Sequence, residues 1–165
     1  MYETSVGHNT ALIIDIAPFA NGTVPAQQAA AATALGAFVS ACYSAPILQT
    51  SGNAQTFLSL MPSMAVAIDR VVVQEDILKG QLVRAFDLVA TLPGGGSQTL
   101  FSGSSIGHKF IYVLPSPLTV SGISLNITSL AALAPEGAPH VLDFSVYSCD
   151  SLAKEADAAW EAEWA

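Results

Sequence analysis

Glu75 and Asp76 stand side by side in the segment Gln74-Glu-Asp-Ile-Leu-Lys-Gly80, the one adjacent acid pair of the block Val71–Tyr112. Two carboxyl groups about 5 Å apart are what a retaining glycosidase uses, one as nucleophile and one as acid/base. Neighbours on a strand point to opposite faces, so these two could cooperate only across a turn. The structural reading is that they cap a turn before Lys79-Gly80. The functional reading is that their loop helps to shape a binding pocket. Asp15, near the end of the apolar run Ala11–Ala17, is a second candidate, with Phe19 just beyond it. His8, His108 and His140 are widely spaced and form no H-x-x-x-H or C-x-x-C pattern, so no metal site and no cofactor are expected. There is no G-x-S-x-G nucleophile elbow. Gly94-Gly-Gly96 lacks the lysine and following helix of a phosphate loop and reads as a hairpin tip.

Two further pairings concern modification rather than catalysis. Cys42 and Cys149 either form a bridge clamping the two ends of the domain or remain two buried thiols. Asn21-Gly-Thr23 and Asn126-Ile-Thr128 have the form of glycosylation sequons.

Composition narrows the setting. The chain has 165 residues, 52% hydrophobic and only 11% charged, enough for one core or for a small domain plus a part of another. A net charge of −8 with five Lys and Arg cannot build a basic face, so a nucleic-acid partner is not expected. No apolar run approaches the about 20 residues that cross a bilayer, so no membrane partner is expected.

The elements that must hold these residues read in order. Ala11–Ala17 is apolar on both faces except for Asp15, which suits a strand buried between layers. Thr23 is a cap candidate with Pro25 in the first turn, and Ala26–Tyr43 is Ala-rich and helix-prone. Leu35, Phe38, Val39 and Cys42 form one apolar stripe on it. Ser44–Asn53 reads as a linker. From about Gln55 to Cys149 the signals are β: Ile123, Leu125 and Ile127 alternate with Ser124, Asn126 and Thr128, and Leu142, Phe144 and Val146 repeat the pattern. Prolines and the Gly94–Gly96 run punctuate the strands, which favours a sandwich or jelly roll. Residues 150–165 carry five acids, with Leu152, Ala156, Trp160 and Trp164 every four residues, and read as an acidic tail able to form a loose helix.

The words Q-E-D-I-x-x-G-Q-x-V-x-x-F, from Gln74, and G-x-S-I-G-H-K, from Gly103, resemble the C-terminal β-sandwich of α-L-fucosidases of glycoside hydrolase family 29. Ser5-Val-Gly-His-Asn-Thr-Ala-Leu-Ile-Ile-Asp-Ile-Ala-Pro18, followed by Gly22-Thr-Val-Pro25, resembles the last strand, loop and helix of the same family's catalytic barrel. His8, Ala11 and Asp15 depart from the basic residue and the asparagines usual there. The resemblance implies a mainly β chain: an antiparallel, jelly-roll or discoidin-like sandwich over 54–149, preceded at 1–45 by a β-α remnant of a (β/α)8 barrel and followed by the 150–165 tail.

The family is a retaining one, and the resemblance places its nucleophile and acid/base upstream of residue 1, so no catalytic residue is expected in this chain. Because barrel strands aim their C-termini at the active site, Asp15 and Phe19 are the candidates for the edge of a sugar pocket, a buried structural role being the other reading of Asp15. The expected function is that of a C-terminal piece of an enzyme removing terminal α-linked fucose from glycans. The alternative is a stand-alone carbohydrate-binding or adhesion sandwich. The implied partner is a fucosylated glycan, met through the barrel, together with self-association through an exposed helix face at Leu35 and Phe38. The implied location of the full-length parent is secreted or lysosomal/vacuolar. Residues 1–10 lack the basic and apolar stretches of a leader, which for such a family implies chain upstream of Met1.

Overall fold

The computed structural model describes residues 1–132, 134, 138–149 and 152. Two four-stranded antiparallel sheets pack face to face. The first has the order β1-β8-β3-β6, built from β1 (Leu48–Asn53), β8 (His140–Tyr147), β3 (Val66–Glu75) and β6 (Phe110–Val120). The second has the order β2-β7-β4-β5, built from β2 (Phe57–Leu60), β7 (Gly122–Leu130), β4 (Val83–Thr91) and β5 (Ser97–Gly103). Two helices precede them, the one-turn α1 (Tyr2–Ser5) and the long α2 (Ala26–Tyr43).

Period-two alternation produces the core. In β7 the inward Ile123, Leu125 and Ile127 are buried, while Ser124 and Asn126 are half-buried and Thr128 is exposed. They meet Ile68, Val71, Val73, Phe144 and Val146 from the first sheet, around the edge-to-face ring pair Phe86–Phe110. β3 is buried over nearly its whole length, on both faces. Its inner residues fill the sandwich. Its outer residue Val72 joins Ile111, Tyr147, Cys42 and Cys149 under Tyr2, Phe38 and Tyr43, so α1 and the last turns of α2 pack on the outer face of the first sheet. The Gly94–Gly96 run closes the β4–β5 hairpin: Gly95 takes φ of +87° and its N–H donates to Leu92 O at 2.9 Å.

Several expectations are corrected. Ser44–Asn53 is not a linker: Leu48–Asn53 is edge strand β1, paired with β8 from Leu48↔Val146 to Asn53↔His140, so the sandwich begins before residue 54. Its sequence LQTSGN is polar because only one face of an edge strand meets the core. Ala11–Ala17 is not a buried strand. It is irregular, with Ile13 89% exposed, because no strand among the described residues offers it a ladder of hydrogen bonds. Thr23 does not cap α2; Pro25 holds the cap position without a side-chain bond. Leu142 points to solvent, 56% exposed, because the pairing of β8 with β3 slips between Asp143 and Val141 and turns it out of alternation. The helix stripe is partly covered: Cys42 is buried, and Leu35, Phe38 and Val39 are half-buried. The acidic tail lies outside the described residues apart from Leu152.

Candidate functional site

The three words singled out in the sequence converge on one junction. Glu75 ends β3 and is 1% exposed. Its Oε1 accepts the backbone N–H of Leu82 at 2.6 Å and of Val83 at 2.9 Å, and its Oε2 accepts that of Gly107 at 3.2 Å. A buried carboxylate is tolerated here because it satisfies donors that the loops would otherwise leave unpaired. Asp76 closes the turn itself, its Oδ1 accepting Leu78 N–H at 3.0 Å, while Gly80 N–H donates to Ile77 O at 2.9 Å. The acid pair is therefore committed to backbone groups in two different places and cannot act as two cooperating carboxyls.

The N-terminal word docks on the far side of the same loop. Asn9 Nδ2 donates to Ile106 O at 2.9 Å, and Asn9 Oδ1 accepts Lys109 N–H at 2.9 Å. Gly107 takes φ of +69°, and a Cβ there would collide with the Asn9 amide. Gly7 lies as close: its carbonyl accepts Ile111 N–H at 2.9 Å, and a Cβ on it would meet Ile111 Cβ at 2.7 Å. His8 forms a bridge with Phe110 and packs edge-on against its ring. So S-V-G-H-N and G-x-S-I-G-H-K are the two halves of one contact, between the segment leading into 10–25 and the sandwich.

A second cluster pins the helices. Arg70 on β3 is 4% exposed; its Nε donates to Glu3 Oε1 at 2.8 Å and its Nη1 pairs with Asp69 at 3.1 Å. Tyr43 O–H donates to the same Glu3 oxygen at 2.6 Å, and Asp69 accepts Cys149 N–H at 2.9 and 2.8 Å through its two oxygens. Burial opposes the charge on Arg70, but the bond to and charge of Glu3, then those of Asp69, outweigh it and hold the guanidinium above its ordinary value. Burial, then the bond to Glu3 and its charge, push the Tyr43 hydroxyl well up. Beside this cluster Cys42 and Cys149 are joined by a disulfide with Cα atoms 5.3 Å apart. It ties the end of α2, just before β1, to the residues just after β8, and so joins the two chain ends of the sandwich. Neither cluster was foreseen as a unit. The signal for the second was a lone Arg70 between Asp69 and the apolar Val71–Val73.

Asp15 lines a cleft of about 170 Å³ between the 14–16 segment and α2, with Ile14, Ile16, Gln28, Ala31 and Leu35. Gln28 Oε1 accepts Ala17 N–H at 3.0 Å and fixes that segment to the helix. Phe19, 59% exposed, is not among the lining residues and sits on the turn where Gly22 N–H donates to its carbonyl at 2.8 Å. Asp15 is exposed rather than buried and paired. Among the described residues the cleft thus holds a single carboxyl, one short of the pair that glycoside hydrolysis needs. Elsewhere, Asp87 accepts Ser102 O–H at 2.5 Å, and Asp143 accepts Gln49 at 3.0 Å and Gln74 at 3.2 Å. Among the described residues no group of three His, Cys, Asp or Glu side chains could hold a metal ion.

No family model matches the chain, and no curated protein matches it. Solved structures do. A protein of Bacteroides thetaiotaomicron assigned as an α-L-fucosidase superposes with a TM-score of 0.80 at 31% identity, over 89% of this chain and 32% of that one. A Ruminococcus gnavus family 29 fucosidase in complex with fucose gives 0.71 at 18% identity, over 90% of this chain and 35% of that one. The family 32 carbohydrate-binding module of Streptococcus pneumoniae EndoD gives 0.50 at 17%, over 61% of this chain and 75% of that one. The chain spans about a third of the length of the fucosidases it matches.

Proposed function

We propose that this chain, whose fold is that of the C-terminal region of glycoside hydrolase family 29 α-L-fucosidases, is the non-catalytic part of such an enzyme. In this reading it braces a catalytic barrel that removes terminal α-linked fucose from glycans with retention. One observation carries the reading: the 31% identical superposition covers nearly all of this chain and only a third of the other. The junction agrees with it. Asn9 and Gly7 lock the segment 1–10, which leads into 11–25, onto the sandwich at two backbone-close contacts, as a fixed connection between two bodies requires. Asp15 and Phe19 then belong to the edge of the barrel's sugar pocket, and fucosylated glycans are its partners. The disulfide supports a secreted or lysosomal setting, where such bonds form and persist.

The test has two arms. The purified chain given an aryl α-fucoside should show no turnover. The same chain, replacing the C-terminal third of the Bacteroides thetaiotaomicron relative, should restore it. Turnover by the chain alone that a mechanism-based inhibitor abolishes, or a folded but inactive chimera, would overturn the proposal.

A second reading rests on Phe57. It is 56% exposed on the outer face of the second sheet, level with Asn126, which is level in turn with Asp87. An exposed ring beside amide and carboxylate groups is what a sugar-binding face presents. Calorimetric titration with fucose and fucosylated oligosaccharides separates the readings. Saturable binding by the isolated chain that Phe57→Ala abolishes favours a stand-alone binding sandwich.

A further inference from the structure

The segment 19–25 carries a feature that neither reading uses. Asn21 Oδ1 accepts two bonds from Thr23, the backbone N–H at 3.1 Å and the hydroxyl at 2.7 Å. Gly22 between them takes φ of +81°, and a Cβ built on it meets nothing within 4 Å. All three residues are exposed. This is an Asn-x-Thr sequon folded into a tight Asx turn at a surface apex. Both Thr23 bonds go to the amide oxygen and leave the nitrogen Nδ2 as the atom to be modified. The second sequon is placed quite differently. Asn126 lies in β7, half-buried, paired with Phe57 on one side and Asp87 on the other. It becomes half-buried between two flanking strands once the second sheet forms, whereas Asn21 is exposed in the folded chain. The Cys42–Cys149 bond is an independent sign of the oxidising compartment in which such transfer takes place.

We propose that Asn21 is an N-glycosylation acceptor and that Asn126 is not. Nδ2 displaces pyrophosphate from the anomeric carbon of a lipid-linked glycosyl pyrophosphate. The new C–N bond replaces the C–O bond, the lipid pyrophosphate leaves with the electron pair, and one amide proton is released. The glycan would stand on the same surface turn as Phe19, within two residues of it.

The full chain should be secreted from a eukaryotic host, and its glycopeptides mapped by mass spectrometry after endoglycosidase release in heavy-oxygen water. The expected result is one occupied site, Asn21, and a gel shift that endoglycosidase removes. Asn21→Gln and Thr23→Ala should each abolish the shift. Thr23→Ser should retain it, and so should Asn126→Gln. Because the map is made on the unaltered chain, it does not depend on any variant folding. A disulfide-bonded secreted chain without glycan at Asn21, or with glycan at Asn126, overturns the assignment. An inactive or active parent enzyme bears on neither outcome.

Discussion

Glu75 shows how one buried carboxylate can hold two loops at once. It serves three backbone donors from the loops on either side of it. Removing it strands those donors, the N–H groups of Val83 and Gly107 being buried and that of Leu82 partly so, and each unmet buried donor costs about 1–3 kcal/mol. Glu75→Ala should therefore lower unfolding stability by about 3 kcal/mol or more, read as a lower urea midpoint at constant slope. Asp76→Ala, whose one bond is to an exposed N–H, should cost under about 1 kcal/mol by the same measurement. Tyr43 makes a pH prediction. Burial and Glu3 raise it above its ordinary 10.0, so the folded chain keeps a proton that the unfolded chain has begun to release. Its contribution is intact below the unfolded value and is lost as pH rises past about 10. Tyr147 shifts in the same direction, burial again being the main cause. The urea midpoint should hold steady up to pH about 9 and then fall, less steeply in Tyr43→Phe. An unchanged alkaline slope in that variant would contradict the account. The acid pair was legible as turn chemistry. Its reach to Gly107 was not, because nothing local in Q-E-D-I announces a partner 32 positions away.

At the scale of elements, legibility followed contact range. β7 could be read because its alternation is set by its own residues, and α2 because alanine favours helix without help. β1 could not, since LQTSGN owes its strand to β8 and not to propensity. Ala11–Ala17 failed the other way: an apolar run is only a strand when neighbours complete its ladder. The segment 11–25 is thus the least supported part of the described chain, held to α2 by the Gln28 bond and otherwise exposed. Limited proteolysis should cut there first, not within Ser44–Asn53, where Leu48–Asn53 is strand β1. Because the disulfide spans the product, α2 should remain attached to the sandwich on a non-reducing gel and separate from any second cut near Ser44 only after reduction. Release of α2 without reduction would be the contrary result.

For the molecule as a whole, apolar exposure is uneven. Ile13, Ile14, Ile16, Phe19 and Val24 all lie between residues 13 and 24, exposed by 37–89%. In the proposed reading this apolar stretch is where the segment meets the rest of the enzyme, and in the chain by itself it is left uncovered. The proposed self-association therefore belongs to this segment more than to Leu35 and Phe38, which the structure half buries. Sedimentation should show concentration-dependent association and dye binding that an Ile13→Ser, Phe19→Ser double change weakens. A Leu35→Glu, Phe38→Glu change should instead lower stability. If the double serine variant associates as strongly as the parent chain, the interface lies elsewhere.

The bond between Cys42 and Cys149 also decides how the molecule bears tension. The two cysteines lie 107 positions apart, flanking every strand among the described residues, and their Cα atoms are 5.3 Å from each other. Force applied to the two chain ends therefore enters and leaves the sandwich at one point, and the eight strands sit outside the load path as a closed ring. Pulled in an optical trap, the oxidised chain should lengthen only by what lies beyond the ring. With a reductant present, a further about 370 Å should appear, at roughly 3.5 Å for each of the 107 residue steps from Cys42 to Cys149. Under such tension the oxidised sandwich would stay folded while its tethers gave way.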